Sequence, residues 1–148
     1  MNTDEAKQID TDKKLLFSEL TYEIRGAVYA VANAYGKGLK EQIYQQAFAE
    51  ELDKRKLSYE KEKRIPIYSQ LTDKPLGVYI PDFVVADSVV VELKATEFTV
   101  QKYVEQQLSY LKASKYEVGY LVNFSTPRLF IKRSIYTNNR KPNIRVHP

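Results

Sequence analysis

Apolar residues recur at three- and four-residue steps in three stretches of the chain, which predicts three amphipathic helices. The first runs from Leu16 to about Tyr35 and stops before Gly36 and Gly38. The second covers residues 39–56 and pairs with the first as a helical hairpin, and the third covers residues 99–114 with Thr99 as its N-cap. The residues expected to face inward from the second and third helices are Ile43, Ala47, Leu52, Val104, Leu108 and Leu111.

Shorter stretches have the pattern of β-strands. Residues 57–70 alternate polar and apolar side chains and suit an exposed or edge strand, where Pro66 is tolerated, and a turn follows at residues 72–77. Residues 83–86 and 89–93 predict two buried strands, and residues 116–124 and 127–136 predict two more. The order of elements predicts an α/β or α+β fold: a central mixed β-sheet flanked by α-helices, with two N-terminal helices before a three-strand meander, then a helix and strands.

The composition of the chain indicates one globular domain, since 148 residues with 43% apolar side chains can bury a core. We assign this domain to residues 15–136, with a mobile arm at residues 1–14 and a basic tail at residues 137–148. No apolar run reaches the roughly 20 residues of a membrane-spanning helix, and the N-terminus lacks a signal-peptide pattern, so we expect a cytoplasmic protein that does not enter a membrane. The basic residues that could contact phosphates near the C-terminus are Lys132, Arg133, Arg140, Lys141 and Arg145.

The residue types available restrict the chemistry. The chain has no cysteine and a single histidine, His147 in the tail, so thiolate and histidine metal sites are excluded and any metal must be held by oxygen. A formal charge of +4 permits nucleic-acid binding without requiring it.

Three charged residues stand at the ends of the two buried strands: Asp82 before the first, and Glu92 and Lys94 at the end of the second. A three-residue loop, residues 86–88, would pair Val85 with Val89 and place these three charges on one face of a hairpin. Two neighbouring carboxylates ionise readily when a cation lies between them, and Mg²⁺ or Mn²⁺ suits such a site. A nearby lysine can neutralise a phosphate or orient an attacking water.

Two further segments complete a recognisable set of motifs: "GLKEQIY", with Glu41 and Tyr44, and "QQLSYLK", with Gln106 and Tyr110. Together with Asp82 and the "ELK" of residues 92–94, their order resembles the small bacterial GxxExxY proteins of the PD-(D/E)xK nuclease superfamily, over about residues 18–135. The resemblance implies a restriction-endonuclease-like fold. One departure is Tyr103, where relatives often have histidine.

The resemblance also implies residue roles. Asp82 and Glu92 match the two main metal ligands, with the backbone carbonyl of Leu93 and the carboxylate of Glu41 as further ligands. Lys94 matches the catalytic lysine. Gln106 and Tyr110 match the Gln-x-x-x-Tyr motif of the branch similar to RecB and lambda exonuclease, which helps to orient the active site.

Each motif also has a purely structural interpretation. A carboxylate such as Glu41 is favoured in the first turn of any helix, and Gln106 and Tyr110 could form an ordinary stripe beside the core. The joint pattern leads us to expect a Mg²⁺- or Mn²⁺-dependent nuclease acting on nucleic acid, DNA in the first place. The alternatives are a non-catalytic nucleic-acid-binding module of the same fold, or an interaction domain, such as a homodimer formed through some of its 12 tyrosines.

Overall fold

A computed structural model describes the backbone of residues 3–141 and the side chains of residues 17–141. The α-helices are α1 (Thr3–Tyr35), α2 (Glu41–Lys54) and α3 (Gln101–Lys112). The strands are β1 (Tyr59–Lys61), β2 (Ile65–Tyr68), β3 (Pro75–Tyr79), β4 (Phe83–Val85), β5 (Val89–Lys94), β6 (Val118–Asn123) and β7 (Phe130–Ile135). A 3-10 turn at Asn138–Arg140 follows the last strand.

The central sheet has five strands in the order β1-β4-β5-β6-β7. β5 and β6 are parallel, because α3 carries the chain back between them, and the other neighbours are antiparallel. Helices α1 and α2 pack on one face, and α3 packs on the other together with the separate β2–β3 hairpin. The sheet is therefore mixed and covered on both faces, which confirms the predicted α/β class with flanking helices.

The β4–β5 hairpin has the register that the three-residue loop predicts. Val85 pairs with Val89 and Phe83 with Val91, and Ala86 and Asp87 turn the chain with positive φ angles of 51° and 47°. The odd-numbered side chains of the hairpin join the core under α1 and α2. The even-numbered face is covered as well, since the side chains of its two central valines, Val84 and Val90, are buried beneath α3 and the β2–β3 hairpin.

The region between α2 and β4 differs most from the prediction. The single strand expected over residues 57–70 is two strands, β1 and β2, separated at Glu62, whose φ is 52°. The turn expected at residues 72–77 contains the start of a strand, β3, which the sequence concealed because Pro75 and Gly77 have low strand propensity. An edge hairpin tolerates both residues.

The helices also differ in detail. Helix α1 begins at Thr3, so residues 3–14 extend the helix, and the mobility expected of residues 1–14 stays a prediction. Ile43 is 44% exposed and does not face the core, and Val100 rather than Thr99 is the N-cap residue of α3. None of the described helices is long and apolar enough to cross a membrane.

The described part of the predicted tail packs on the domain. The side chain of Lys141 is buried, and its ammonium donates hydrogen bonds to the carbonyls of Ser114 at 2.7 Å and Tyr116 at 2.8 Å and to Asn138 Oδ1 at 2.6 Å. Lys141 thus fixes the chain after β7 against the end of α3 and is not placed to meet a phosphate. Arg145 lies outside the described residues.

We expect Lys141→Met to destabilise the domain by about 1–3 kcal/mol, because the buried carbonyls of Ser114 and Tyr116 would lose this donor. The matched control is Lys132→Met, at an exposed position of β7, which should change the free energy of unfolding by less than about 0.5 kcal/mol. Urea unfolding of both variants measures the difference. Equal effects would show that Lys141 acts as a surface residue.

Candidate active site

The charged end of the β4–β5 hairpin forms the centre of the site. Asp82 immediately precedes β4, and its Oδ2 accepts a hydrogen bond of 2.7 Å from the backbone N–H of Leu93 in β5. Glu92 and Lys94 lie on either side of Leu93, and their side chains share the face opposite that buried leucine. The short Asp82–Leu93 bond closes the hairpin at this end and holds the aspartate beside the two other charges.

Glu92 is held by groups from two other elements. Its Oε2 accepts hydrogen bonds from the Tyr79 hydroxyl of β3 at 2.9 Å and from Gln107 Nε2 of α3 at 3.1 Å. The same amide nitrogen of Gln107 donates to the Tyr120 carbonyl of β6 at 3.0 Å. Tyr110 stacks on Tyr79 with ring centroids 4.1 Å apart and an interplanar angle of 10°. Tyr110 therefore acts on the carboxylate through Tyr79.

Glu41 approaches the same end of β5 from the other side of the sheet. It is the first residue of α2, and the backbone of Ala95 hydrogen-bonds its carboxylate. The loop before α2 is held by Tyr44, whose hydroxyl donates to the Gly36 carbonyl at 2.6 Å and accepts from the Leu39 N–H at 3.2 Å. The ring of Tyr44 is fully buried, so this residue sets where α2 begins and hence where Glu41 lies.

The three carboxylates share an unfavourable environment. Burial raises the pKa of Asp82, of Glu92 and of Glu41 above the usual values, and it is the largest influence on each. The charge of Asp82 raises the pKa of both glutamates further, whereas Lys94 lowers the pKa of all three acids. Removing carboxylates from water without a full set of positive partners is costly, and such perturbed groups are typical of functional sites.

Lys94 is the cation whose charge lowers the pKa of all three acids. Its ammonium lies 4.3 Å from the centroid of the Tyr103 ring, close enough for a cation–π interaction. Tyr103 comes from the first turn of α3. Tyr103 therefore supplies an aromatic contact to the lysine.

The carboxylate oxygens of Asp82 and Glu92 are the kind of ligand that a divalent cation such as Mg²⁺ prefers. Among residues 17–141, no group of three or more histidine, cysteine, aspartate or glutamate side chains is spaced to hold a metal ion. Mg²⁺ is commonly bound by one or two carboxylates, with water and substrate phosphate as the other ligands, and Asp82 and Glu92 supply two such carboxylates. A cation between them would offset the burial that raises their pKa values.

The structure brings four of the predicted site side chains together, namely Glu41, Asp82, Glu92 and Lys94, with Tyr110 behind them. Gln106 is not among them: its side chain is exposed, and the neighbouring Gln107 occupies the site. Successive side chains of a helix point about 100° apart, so Gln106 and Gln107 face different directions. The match to the Gln-x-x-x-Tyr spacing chose Gln106, which faces outward. A role for the Leu93 carbonyl as a metal ligand stays a prediction.

Sequence reasoning missed two groups that hold Glu92. Tyr79 lies on β3, the strand interpreted as a turn. Gln107 faces Gly119 of β6, where a Cβ atom would lie 2.8 Å from the glutamine amide. A glycine within a predicted buried strand often marks a close approach, and this was the available signal for a large side chain packed against residue 119.

Comparison with known protein families identifies the class of this domain. The family model of the PD-(D/E)XK nuclease superfamily matches residues 18–134, which contain all the site residues above. The chain belongs to this superfamily, and its mixed sheet with flanking helices is consistent with a restriction-endonuclease-like domain. Searches of curated proteins and of solved structures found no match.

We expect Glu92→Gln to stabilise the metal-free protein near neutral pH. Glutamine keeps an oxygen for the Tyr79 and Gln107 donors but removes a buried charge beside Asp82. Because the folded-state pKa of Glu92 is raised, the folded wild type binds the proton more tightly than the unfolded chain does. The advantage of the variant should therefore be full above the raised pKa and shrink as pH falls through it toward about 4.5, the unperturbed value.

Thermal unfolding of both proteins over that pH range, in a chelator, measures the difference in stability. A variant less stable than wild type at neutral pH would show that the Glu92 charge is well compensated without a metal.

Gln107→Met and Gln106→Met form a matched pair on adjacent helix positions. The first should lower the free energy of unfolding by about 1–3 kcal/mol, because Glu92 and the Tyr120 carbonyl both lose the Gln107 amide. The second alters an exposed side chain and should have an effect below about 0.5 kcal/mol. Urea unfolding at neutral pH compares the two. The reverse order would mean that Gln106 is the inward residue.

Proposed function

We propose that this domain is a metal-dependent nuclease that hydrolyses phosphodiester bonds in nucleic acid, with DNA as the first substrate to test. The observation that carries the proposal is the convergence of Glu41, Asp82, Glu92 and Lys94 at one end of β5, in a chain that belongs to a nuclease superfamily. Assignment to the GxxExxY branch is part of the same proposal and is supported by Gly38, Glu41 and Tyr44.

In this proposal Asp82 and Glu92 would hold Mg²⁺ or Mn²⁺. The resemblance implies Glu41 and the Leu93 carbonyl as further ligands. For Glu41 this requires its carboxylate to move toward the other two, because among residues 17–141 no three such side chains are spaced to hold an ion. When bound, the ion would supply a water of lowered pKa and would neutralise the negative charge that develops on the phosphate oxygens. The bond from the Leu93 N–H to Asp82 Oδ2 fixes one carboxylate, and the bonds from Tyr79 and Gln107 fix the other. These contacts limit the rotation of both acids and so preorganise them.

Lys94 has the role of binding and charge stabilisation. Its ammonium would contact a non-bridging phosphate oxygen and hold the attacking water. The support for this role is that the charge of Lys94 lowers the pKa of all three acids, so it lies within electrostatic reach of the proposed metal ligands. The Tyr103 ring lies against the Lys94 ammonium and limits where this flexible side chain can lie. Tyr79, Tyr110 and Gln107 are positioning residues, since they act on Glu92 and not on the substrate.

The proposal predicts cleavage of linear or single-stranded DNA by the purified protein in Mg²⁺ or Mn²⁺, abolished by a chelator. Lys94→Ala should lower the rate by about 100- to 1,000-fold, the usual effect of removing one charge-stabilising group. Lys54→Ala removes an exposed lysine from the last turn of α2 and should retain the wild-type rate. Gel assays with labelled strands measure the rates.

If wild type and Lys94→Ala leave the same trace of cleavage, the activity belongs to a contaminant and the catalytic proposal fails. Salt-sensitive DNA binding without any cleavage would instead support the non-catalytic binding module.

A further inference from the structure

The loop between β5 and α3, residues 95–100, presents an aromatic side chain to solvent. Phe98 is 80% exposed, although phenylalanine side chains are usually buried. Its ring takes part in none of the hydrophobic clusters of the described core. The exposure therefore leaves a large apolar surface free for a ligand.

This loop is fixed on both sides of Phe98. The side-chain amide of Asn123, fully buried in β6, accepts from the Thr96 N–H at 3.1 Å and donates to the Thr96 carbonyl at 2.9 Å. On the other side, Val100 is buried in a cluster with Val104 and Leu121. The loop thus has two anchors, and the outward position of Phe98 is not explained by a lack of attachment.

The position of Phe98 relates it to the candidate active site. It lies four residues after Lys94, so their Cα atoms are at most about 14 Å apart. Tyr103, which is 38% exposed, comes five residues after Phe98 and contacts the Lys94 ammonium. Aromatic surface and the proposed phosphate-binding lysine therefore occupy the same end of the sheet.

We infer that Phe98 stacks on an unpaired base of the nucleic acid whose phosphate lies at Lys94, so that the substrate is a single strand or a frayed end and not an intact duplex. The inference rests on the proposed function for the location of the strand. Bases stack on aromatic side chains irrespective of sequence, and a paired base inside a duplex does not offer its face. The exposed neighbour Glu97 would repel a phosphate, which makes the base the part of a nucleotide that fits this loop.

The test uses the full chain in Ca²⁺ and, separately, in a chelator, with DNA strands that carry the fluorescent base 2-aminopurine at successive positions. Phe98→Ala should weaken binding of the single strand by about 5- to 100-fold, as expected for the loss of one stacked base, and leave binding of the blunt duplex unchanged. Wild type and Phe98→Trp should quench 2-aminopurine at one position, and Phe98→Ala should not. Leu71→Ala, at another highly exposed apolar residue, 92% exposed and in the β2–β3 turn, is the matched control.

The outcomes separate this inference from the proposed function. Quenching that depends on Phe98 without cleavage in Mg²⁺ or Mn²⁺ supports stacking and contradicts the nuclease activity. Cleavage with unchanged binding and quenching in Phe98→Ala supports the activity and overturns the stacking. Equal loss of affinity for single strand and duplex, or no binding of either, also overturns it.

Discussion

The structure of the site depends on the buried carboxylate of Glu92 and the two groups that donate to it. The Tyr79 hydroxyl and the Gln107 amide reach the same oxygen from β3 and α3, so three separate elements meet at one atom. A buried carboxylate needs such donors, because its desolvation is otherwise uncompensated. The β2–β3 hairpin and α3 cover the same face of the sheet: they pack around Val84 and Val90, and each donates one hydrogen bond to Glu92. The packing of these two elements on the sheet and the position of the Glu92 carboxylate therefore depend on each other.

The two faces of the sheet have different roles: one forms the apolar core, and the other carries the charged residues of the candidate site. The face toward α1 and α2 is apolar along the whole β4–β5 hairpin, from Phe83 to Leu93. The opposite face is apolar only in its middle, at Val84 and Val90, and ends in Asp82, Glu92 and Lys94. Side chains alternate along a strand, so a single hairpin can anchor the core and present charges at one end. The apolar stabilisation along the hairpin offsets the cost of keeping two acids, Asp82 and Glu92, close together at its end.

The sequence determined the parts that follow from local periodicity. The parity of Asp82 and Glu92 across a three-residue loop gave the hairpin register, which the pairing of Val85 with Val89 confirms. Contacts that depend on tertiary packing could not be predicted from the sequence. The choice between Gln106 and Gln107 follows from which face of α3 packs over Gly119. The role of Tyr79 follows from an edge hairpin whose Pro75 and Gly77 resemble a turn. Lys141 was assigned to a basic tail that could contact phosphates, because no local sequence pattern indicates that its partners are the carbonyls of Ser114 and Tyr116 after α3.

The electrostatics of the site explain why an aromatic loop would be useful beside it. Three acids whose pKa values are raised by burial, with Lys94 as the cation that influences all of them, disfavour a polyanion until positive charge is added. Stacking on an aromatic ring is insensitive to that balance, since it depends on contact area and not on net charge. A strand held by its base at Phe98 would stay near the carboxylates whatever their protonation state. Charge at the end of β5 would then govern the chemistry, while the loop that follows it would govern which strands remain bound.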